Sequence, residues 1–319
     1  MIEPAIHIER VNKRFGTTHA VRDLDLLVPT GSLCGFLGPN GAGKSTTIRM
    51  IMSIIYPDSG SIRVLGGSAL ASKDRIGYLP EERGVYRKMR VGEFLHYIGR
   101  LKGLSGAGLS QRVKRWLERI ELPHVVHKRC HELSKGMQQK VQFLAAVLHE
   151  PDLLILDEPF SGLDPVNAAL LNSLIREINA EGRTVIFSTH VLHQAEQICD
   201  RIFLINHGVK LLDDTLDGIR ATFNPRTIIV RPLDNAMRFD GVPGVTNMTP
   251  IAADKGGGWE LHLAENAEPH QIMRLLVEHG PLRSVELRRL SLDEVFVRLV
   301  RKGEGEIAAE RAREELSHV

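Results

Sequence analysis

Nine residues, GPNGAGKST from Gly38 to Thr46, set three glycines, a lysine and two hydroxyls in the pattern G-x-x-x-x-G-K-[ST]. Each type has a chemical reason. Gly38, Gly41 and Gly43 let the backbone curl so that successive N–H groups point inward at phosphate oxygens. Pro39, Asn40 and Ala42 complete the loop. Lys44 places a point charge on the β- and γ-phosphates of a nucleotide, and Ser45, followed by Thr46, offers a hydroxyl to Mg²⁺. The bland alternative is a Gly-rich turn, but the string lies between an apolar strand pattern and a helical one, where a phosphate loop belongs.

A second string, LLILDEP, is an apolar strand that ends on two carboxylates, Asp157 and Glu158. A core strand does not end on adjacent acids without something to meet them. In a phosphate-loop fold the acid at this strand end holds Mg²⁺ directly or through water. Successive side chains point to opposite sides of a strand, so the second acid can face an attacking water as general base. The next apolar strand, TVIFST, opens onto His190, placed to sense a γ-phosphate beyond the strand ends.

A third string, LSKGM from Leu133 to Met137, raises a question. Ser134 can cap the apolar helix that follows. Helix starts also attract anions, so the same Ser134 can await a phosphate.

The elements that position these residues follow from hydrophobic patterning. Apolar runs at 5–15, 21–29, 32–38, 61–66, 75–80, 153–159, 184–189 and 201–208 read as strands, and helical spacing separates many of them. This alternation predicts an α/β domain over residues 1–224 with a mostly parallel, buried sheet. A helical block interrupts it, with helices over 91–104 and 111–122 split by Gly- and Ser-rich residues 103–110. It reads as an inserted helical subdomain at about 82–150. Near Asn224–Pro225 the character changes, and residues 225–300 read as a small α+β domain with DKGGGW as a turn. Residues 301–319 form a charged tail, frayed or a solvated helix.

Bulk numbers narrow the classes. The 319 residues carry 41 basic and 39 acidic side chains, net +2, which gives no electrostatic case for nucleic acid. No run approaches the roughly 18 apolar residues of a membrane span, and MIEPAIHIER has no secretory pattern. Three widely spaced cysteines fit a reducing compartment. A soluble, cytoplasmic protein is expected. HVVHKRCHEL offers His124, His127, Cys130 and His131 at metal-like spacing; a zinc site and a polar linker both fit, and the linker is preferred. Cys34 reads as a small core residue. Phe94, Tyr97 and Leu101 read either as core or as a groove for a membrane partner.

In this order the phosphate loop, LSKGM, LDEP, SGLD and the strand-end histidine resemble the nucleotide-binding subunits of ABC transporters, over about residues 5–220. The resemblance implies a P-loop ATPase using ATP and Mg²⁺, working as a head-to-tail dimer with two ATP molecules at its interface. It makes Glu158 the catalytic base, His190 the switch histidine and Lys44 the γ-phosphate contact. Phe15 matches the adenine-stacking aromatic, where Tyr is more usual. Ser134, Lys135, Gly136 and Met137 form the signature, which would cap the partner's γ-phosphate in trans, and Asp164 would contact across the interface. That reconciles the two readings of Ser134.

Two departures stand out. Lys135 and Met137 replace a Gly and the Gln of the usual Leu-Ser-Gly-Gly-Gln. In IGYLPEERG, Glu81 stands where the family has Gln, so the metal set is expected to be Ser45, Asp157 and Glu81, with three carboxylates nearby. YLPEERG, LSKGM and the terminal small domain together resemble ABC-2-type export ATPases. The partners expected are then a membrane permease and a second ATPase subunit, identical or paralogous, placing the chain on the inner face of the membrane. The competing reading is a soluble ABC ATPase acting on a macromolecular complex; a third is a non-hydrolysing regulatory dimer, which Glu158 and His190 oppose.

Overall fold

The computed structural model describes residues 3–82, 84–234, 237–252 and 256–304. Two compact units emerge. Among the described residues, one contains the chain up to Leu216 together with 296–304; the other lies within Asp217–Val295.

In the first unit, β1 (Ile6–Phe15) and β2 (Thr18–Val28) form an antiparallel hairpin about Gly16, whose φ of 56° suits a tight turn. Next, β3 (Leu33–Leu37) enters the phosphate loop and α1 (Lys44–Ile51), and β4 (Ser59–Val64) returns to pair with β1. β5 (Ile76–Leu79) precedes the helical block of α2 (Val91–Leu101), α3 (Gly106–Arg119) and α4 (Lys135–Val147). Alternation then resumes with β6 (Leu153–Asp157), α5 (Pro165–Ala180), β7 (Thr184–Thr189), α6 (Leu192–Ile198), β8 (Arg201–Asn206) and β9 (Val209–Thr215).

The large sheet has the order β5-β6-β7-β3-β8-β9, parallel except at the β8–β9 edge. Every residue of β3, β6 and β7 is buried, as expected of strands covered on both faces. Register places Leu79 beside Leu156, Asp157 beside Ser188 and Leu37 beside Thr189. The residues that follow these strands therefore emerge together along one sheet end, where parallel-sheet ligands bind. A hydrophobic cluster including Ile6, Val28, Phe36, Ile48, Ile155 and Phe203 joins the small sheet, α1 and the large sheet.

Several boundaries differ from the sequence expectation. α3 begins at Gly106, not Gln111, because Leu109 is buried and holds the first turn despite its glycines. β9 was not expected, since its KLLDD core is only half-buried and lacks clean alternation. The second unit begins at Asp217, before the composition changes at Pro225, because α7 (Leu216–Thr222) precedes that change. Of the three inserted-helix residues, Phe94 is core whereas Tyr97 and Leu101 are exposed. Cys34 is fully buried in β3, and burial pushes its thiol up to about 12.

His149 follows α4 and approaches the Ile76 carbonyl through Nε2 at 3.1 Å. Burial, with Lys102 nearby, lowers it from the usual 6.5 to about 4. Protonating it in the folded chain therefore costs about 3 kcal/mol more than in the unfolded chain. The unfolded state takes the proton first, so the contribution is complete above pH 6.5 and is lost as pH falls toward 4. Denaturant unfolding of wild type should lose up to about 1.4 kcal/mol per pH unit across that window. His149→Gln should flatten the slope; an unchanged slope would show that His149 is not the responsible group.

The second unit is an antiparallel sheet of β10 (Thr227–Pro232), β11 (Val245–Pro250), β12 (Trp259–Leu263) and β13 (Leu282–Leu287), in the order β11-β12-β10-β13. The helix α8 (Pro269–His279) contributes Ile272 and Leu276 to a core with Ile228, Val230, Phe239 and Leu261. Then α9 (Leu292–Glu304) begins. Part of the DKGGGW turn and residues 305–319 of the tail lie outside the described residues. No described helix is long and apolar enough to cross a membrane.

Candidate active site

The phosphate loop curls as its glycines demand. Gly38 and Gly43 adopt φ of 154° and 107°, and a Cβ at either would meet a backbone oxygen, Ile205 O at 2.1 Å or Ala20 O at 2.5 Å. No other residue fits either place. Lys44 is 6% exposed and donates from Nζ to Gly38 O (2.7 Å) and Pro39 O (3.1 Å). Its Nζ lies 3.9 Å from Glu158 Oε1. Burial lowers the Lys44 pKa, and the carboxylates of Glu158, Asp157 and Glu81 work against that fall.

The two acids are separated by a backbone turn rather than by strand alternation. β6 ends at Asp157, and Glu158 takes a left-handed φ of 49°. For a non-glycine residue that conformation costs roughly 1–3 kcal/mol and collects at functional sites. Asp157 Oδ1 accepts from the Ser188 hydroxyl and lies 3.4 Å from Ser45 Oγ. Burial raises the Asp157 carboxyl; Ser188 and Ser45 pull it down, and Glu158 adds to the rise. Glu158 turns the other way, its Oε1 2.8 Å from His190 Nδ1. Its backbone N–H donates to Ser188 O (3.1 Å) and approaches Ser188 Oγ at 3.3 Å. Lys44, Ser45, Asp157, Glu158 and His190 are thus brought together in one cluster.

The structure adds Ser188 to it. The sequence reading does not single out this residue, although a serine near the end of an apolar strand is a usable signal. Glu81, two residues beyond β5, is exposed and reaches the cluster through its charge on Lys44. Phe15 ends β1 with its ring half exposed, and Lys13 Nζ sits 5.5 Å from the ring centroid.

The signature residues form a second patch. Ser134 caps α4 by accepting from the Met137 N–H (3.3 Å), and Ser134 and Lys135 are exposed. A Cβ on Gly136 would meet Leu163 Cδ2 at 3.4 Å, so the signature adjoins the SGLD loop. Asp164 caps α5, accepting from the Asn167 backbone at 2.9 Å and its amide at 2.6 Å, and these bonds lower its pKa. Lys140 Nζ donates to Asn167 Oδ1 at 2.8 Å, tying α4 to the same cap. Among the described residues, the hydrogen-bond and ion-pair partners of the first cluster include none of residues 134–137 and not Asp164.

The histidine-rich connection does not converge. Cys130 is buried, His131 Nδ1 sits 2.8 Å from Arg87 O, and His124 and His127 are exposed. Among the described residues, no group of three or more His, Cys, Asp or Glu is placed to hold a metal ion.

A phosphate loop, an acid pair split between two directions, a strand-end histidine and a capped signature helix in one α/β unit define a nucleotide-hydrolysing cassette. Sequence comparison agrees. Residues 21–161 match the ABC transporter family model, and residues 215–300 match the C-terminal domain of DrrA1-3-like ATP-binding proteins. The daunorubicin/doxorubicin resistance ATP-binding protein DrrA of Streptomyces peucetius is 32% identical over 98% of this chain and 97% of its own. The chain belongs to the ABC transporter ATP-binding proteins. The Nod factor export ATP-binding protein I of Rhizobium sp. (strain N33) is 34% identical over 94% of this chain and 98% of its own. A solved ATP-binding subunit of an ABC transporter superposes with a TM-score of 0.64 at 32% identity, covering 69% of this chain and 93% of that one. As a member of this family the chain binds and hydrolyses ATP, and a membrane permease is its implied partner.

Proposed function

We propose that the chain is the motor subunit of an ABC-2-type exporter, working as a head-to-tail dimer whose closure on ATP drives the permease. The observation that carries the dimer reading is the split of the site into two patches. One holds Lys44, Asp157, Glu158 and His190; the other holds Ser134, Gly136 and Asp164 on different elements. Each patch is half of an ATP-hydrolysing site, and a two-fold axis can place one against the partner's other. Nothing favours the soluble alternative. Export as the direction rests on the relatives named for drug resistance and Nod factor export.

In this reading the loop N–H groups and Lys44 hold the β- and γ-phosphates, and Phe15 stacks on the adenine. Glu158 takes a proton from the attacking water, and His190 orients that carboxylate through their shared bond. Ser134 and the Gly136 backbone donate to the γ-phosphate held by the partner, where the α4 start favours negative charge. The residues present fit Mg²⁺: Asp157 and Ser45 already adjoin, and this ion typically uses one or two carboxylates with phosphate and water completing its shell. Glu81 would join them. When bound, the ion neutralises charge developing on the transferring phosphoryl group. The chain would sit on the cytoplasmic face of the membrane through its permease.

The test is to co-express the tagged chain with its neighbouring genes and extract in mild detergent. A polytopic membrane protein should co-purify, survive a salt wash and, in vesicles, change the rate of phosphate release. Recovery of ribosomes or other soluble partners alone, or of no partner, would overturn the exporter reading and leave the ATPase chemistry intact.

A further inference from the structure

The loop that carries Glu81 is held from an unexpected direction. Gln142, on the third turn of α4, is 5% exposed, and its amide nitrogen donates to Pro80 O and Glu82 O, both at 3.2 Å. An amide has two N–H donors, and here each goes to one of the carbonyls that bracket Glu81. The Gln142 amide oxygen is buried without a hydrogen bond, so the side chain is oriented by its donors alone. Leaving a buried acceptor unsatisfied costs roughly 1–3 kcal/mol, which a residue serving only to fill space would avoid as Leu or Met. Three positions earlier, Gln139 donates to Pro159 O at 3.0 Å, beside the acid pair. The helix that starts at Ser134 therefore reaches the loops after both β5 and β6.

We infer that Gln142 is a positioning residue for Glu81, fixing the backbone that carries its carboxylate at the edge of the Lys44–Asp157 cluster and tying that edge to the signature helix. The inference rests on the proposed role of Glu81 at Mg²⁺. Backbone carbonyls pinned on either side leave Glu81 little freedom except in its own side chain, although that side chain is exposed. Ordering of this kind is what lets an outer residue tune a metal ligand, with losses of roughly 10- to 100-fold when it is removed.

The experiment is a double-mutant cycle of Gln142→Met with Glu81→Ala, read in two ways. One readout is Mn²⁺ affinity with ATP bound, measured by electron paramagnetic resonance in the Glu158→Gln background. The other is the half-saturating Mg²⁺ concentration for phosphate release with Glu158 intact. Gln142→Met should weaken both by roughly tenfold, and should add nothing once Glu81 is Ala. If Gln142→Met lowers Tm but leaves both metal readouts unchanged, or weakens them equally with and without Glu81, the inference is overturned while the Glu81 reading stands. If Glu81→Ala itself leaves metal affinity unchanged, the Glu81 reading falls and takes the inference with it.

Discussion

Glu158→Gln is expected to stop phosphate release while ATP stays bound. The substitution keeps shape and volume, and an amide oxygen can still meet His190, whose Nδ1 lies 2.8 Å from the carboxylate. It removes only the capacity to accept a proton from water. General-base catalysis contributes roughly 10²- to 10⁴-fold, so turnover should fall by that range. ATP affinity should hold or rise, because Lys44 lies 3.9 Å from a carboxylate that Gln makes neutral, which leaves more of its charge for the phosphates. Phosphate release and retention of labelled ATP on a filter give both numbers. Turnover within about tenfold of wild type would assign the base to another group, and Asp157 is a poor substitute because Ser188 and Ser45 already claim its Oδ1. The left-handed backbone of Glu158 bears on the same result. Its N–H bonds the Ser188 carbonyl, a backbone contact that Gln keeps, so the experiment isolates the proton.

What the sequence shows and what it hides divide along a physical line. The phosphate loop, Asp157, Glu158 and His190 were legible because each is a contiguous string at the end of an apolar strand, and a parallel sheet brings such ends together whatever the details. Ser134 was legible as a cap for the same local reason. The residues that connect these strings were not. Gln142 reaches carbonyls 60 and 62 residues away, and Lys140 meets a side chain 27 residues away. In the sequence, Gln139, Lys140 and Gln142 are polar residues within a helical string; only the fold reveals that all three are buried. Their donors are legible as function once the acceptors waiting for them are found, backbone carbonyls for Gln139 and Gln142 and the Asn167 side chain for Lys140, because buried polar groups are kept where they have partners. The separation of Asp157 from Glu158 was anticipated for a different reason than the one observed. Strand alternation would have divided them, but the strand stops at Asp157 and a left-handed turn does the work. A positive φ at glutamate has no signature in the string.

Mixing two inactive variants should restore activity, and this tests the dimer more sharply than any single substitution. Lys44→Ala removes the charge proposed to face the γ-phosphate, and Ser134→Glu sets a carboxylate where the signature would donate to the same phosphate on the partner. Each purified alone should be inactive, since a head-to-tail homodimer of either has both sites broken. In a mixed dimer the defects fall differently. The site built from the Ser134→Glu subunit's intact loop and the Lys44→Ala subunit's intact signature contains no substitution; the other site contains both. Random exchange makes half of the dimers mixed, each with one of two sites intact, so roughly a quarter of wild-type turnover should return if sites act independently. Strict alternation between sites would leave none of it in steady state, but a single burst of phosphate would still appear from the mixture and from neither parent. The alternative, that Ser134 serves only its own chain, predicts no burst on mixing. The Ser134 hydroxyl bonds its own Met137 N–H, so any structural loss from Ser134→Glu is read directly: a destabilised α4 lowers Tm in that variant, whereas a phosphate-site defect does not. A glutamate at the helix start favours its dipole while placing negative charge against the phosphate.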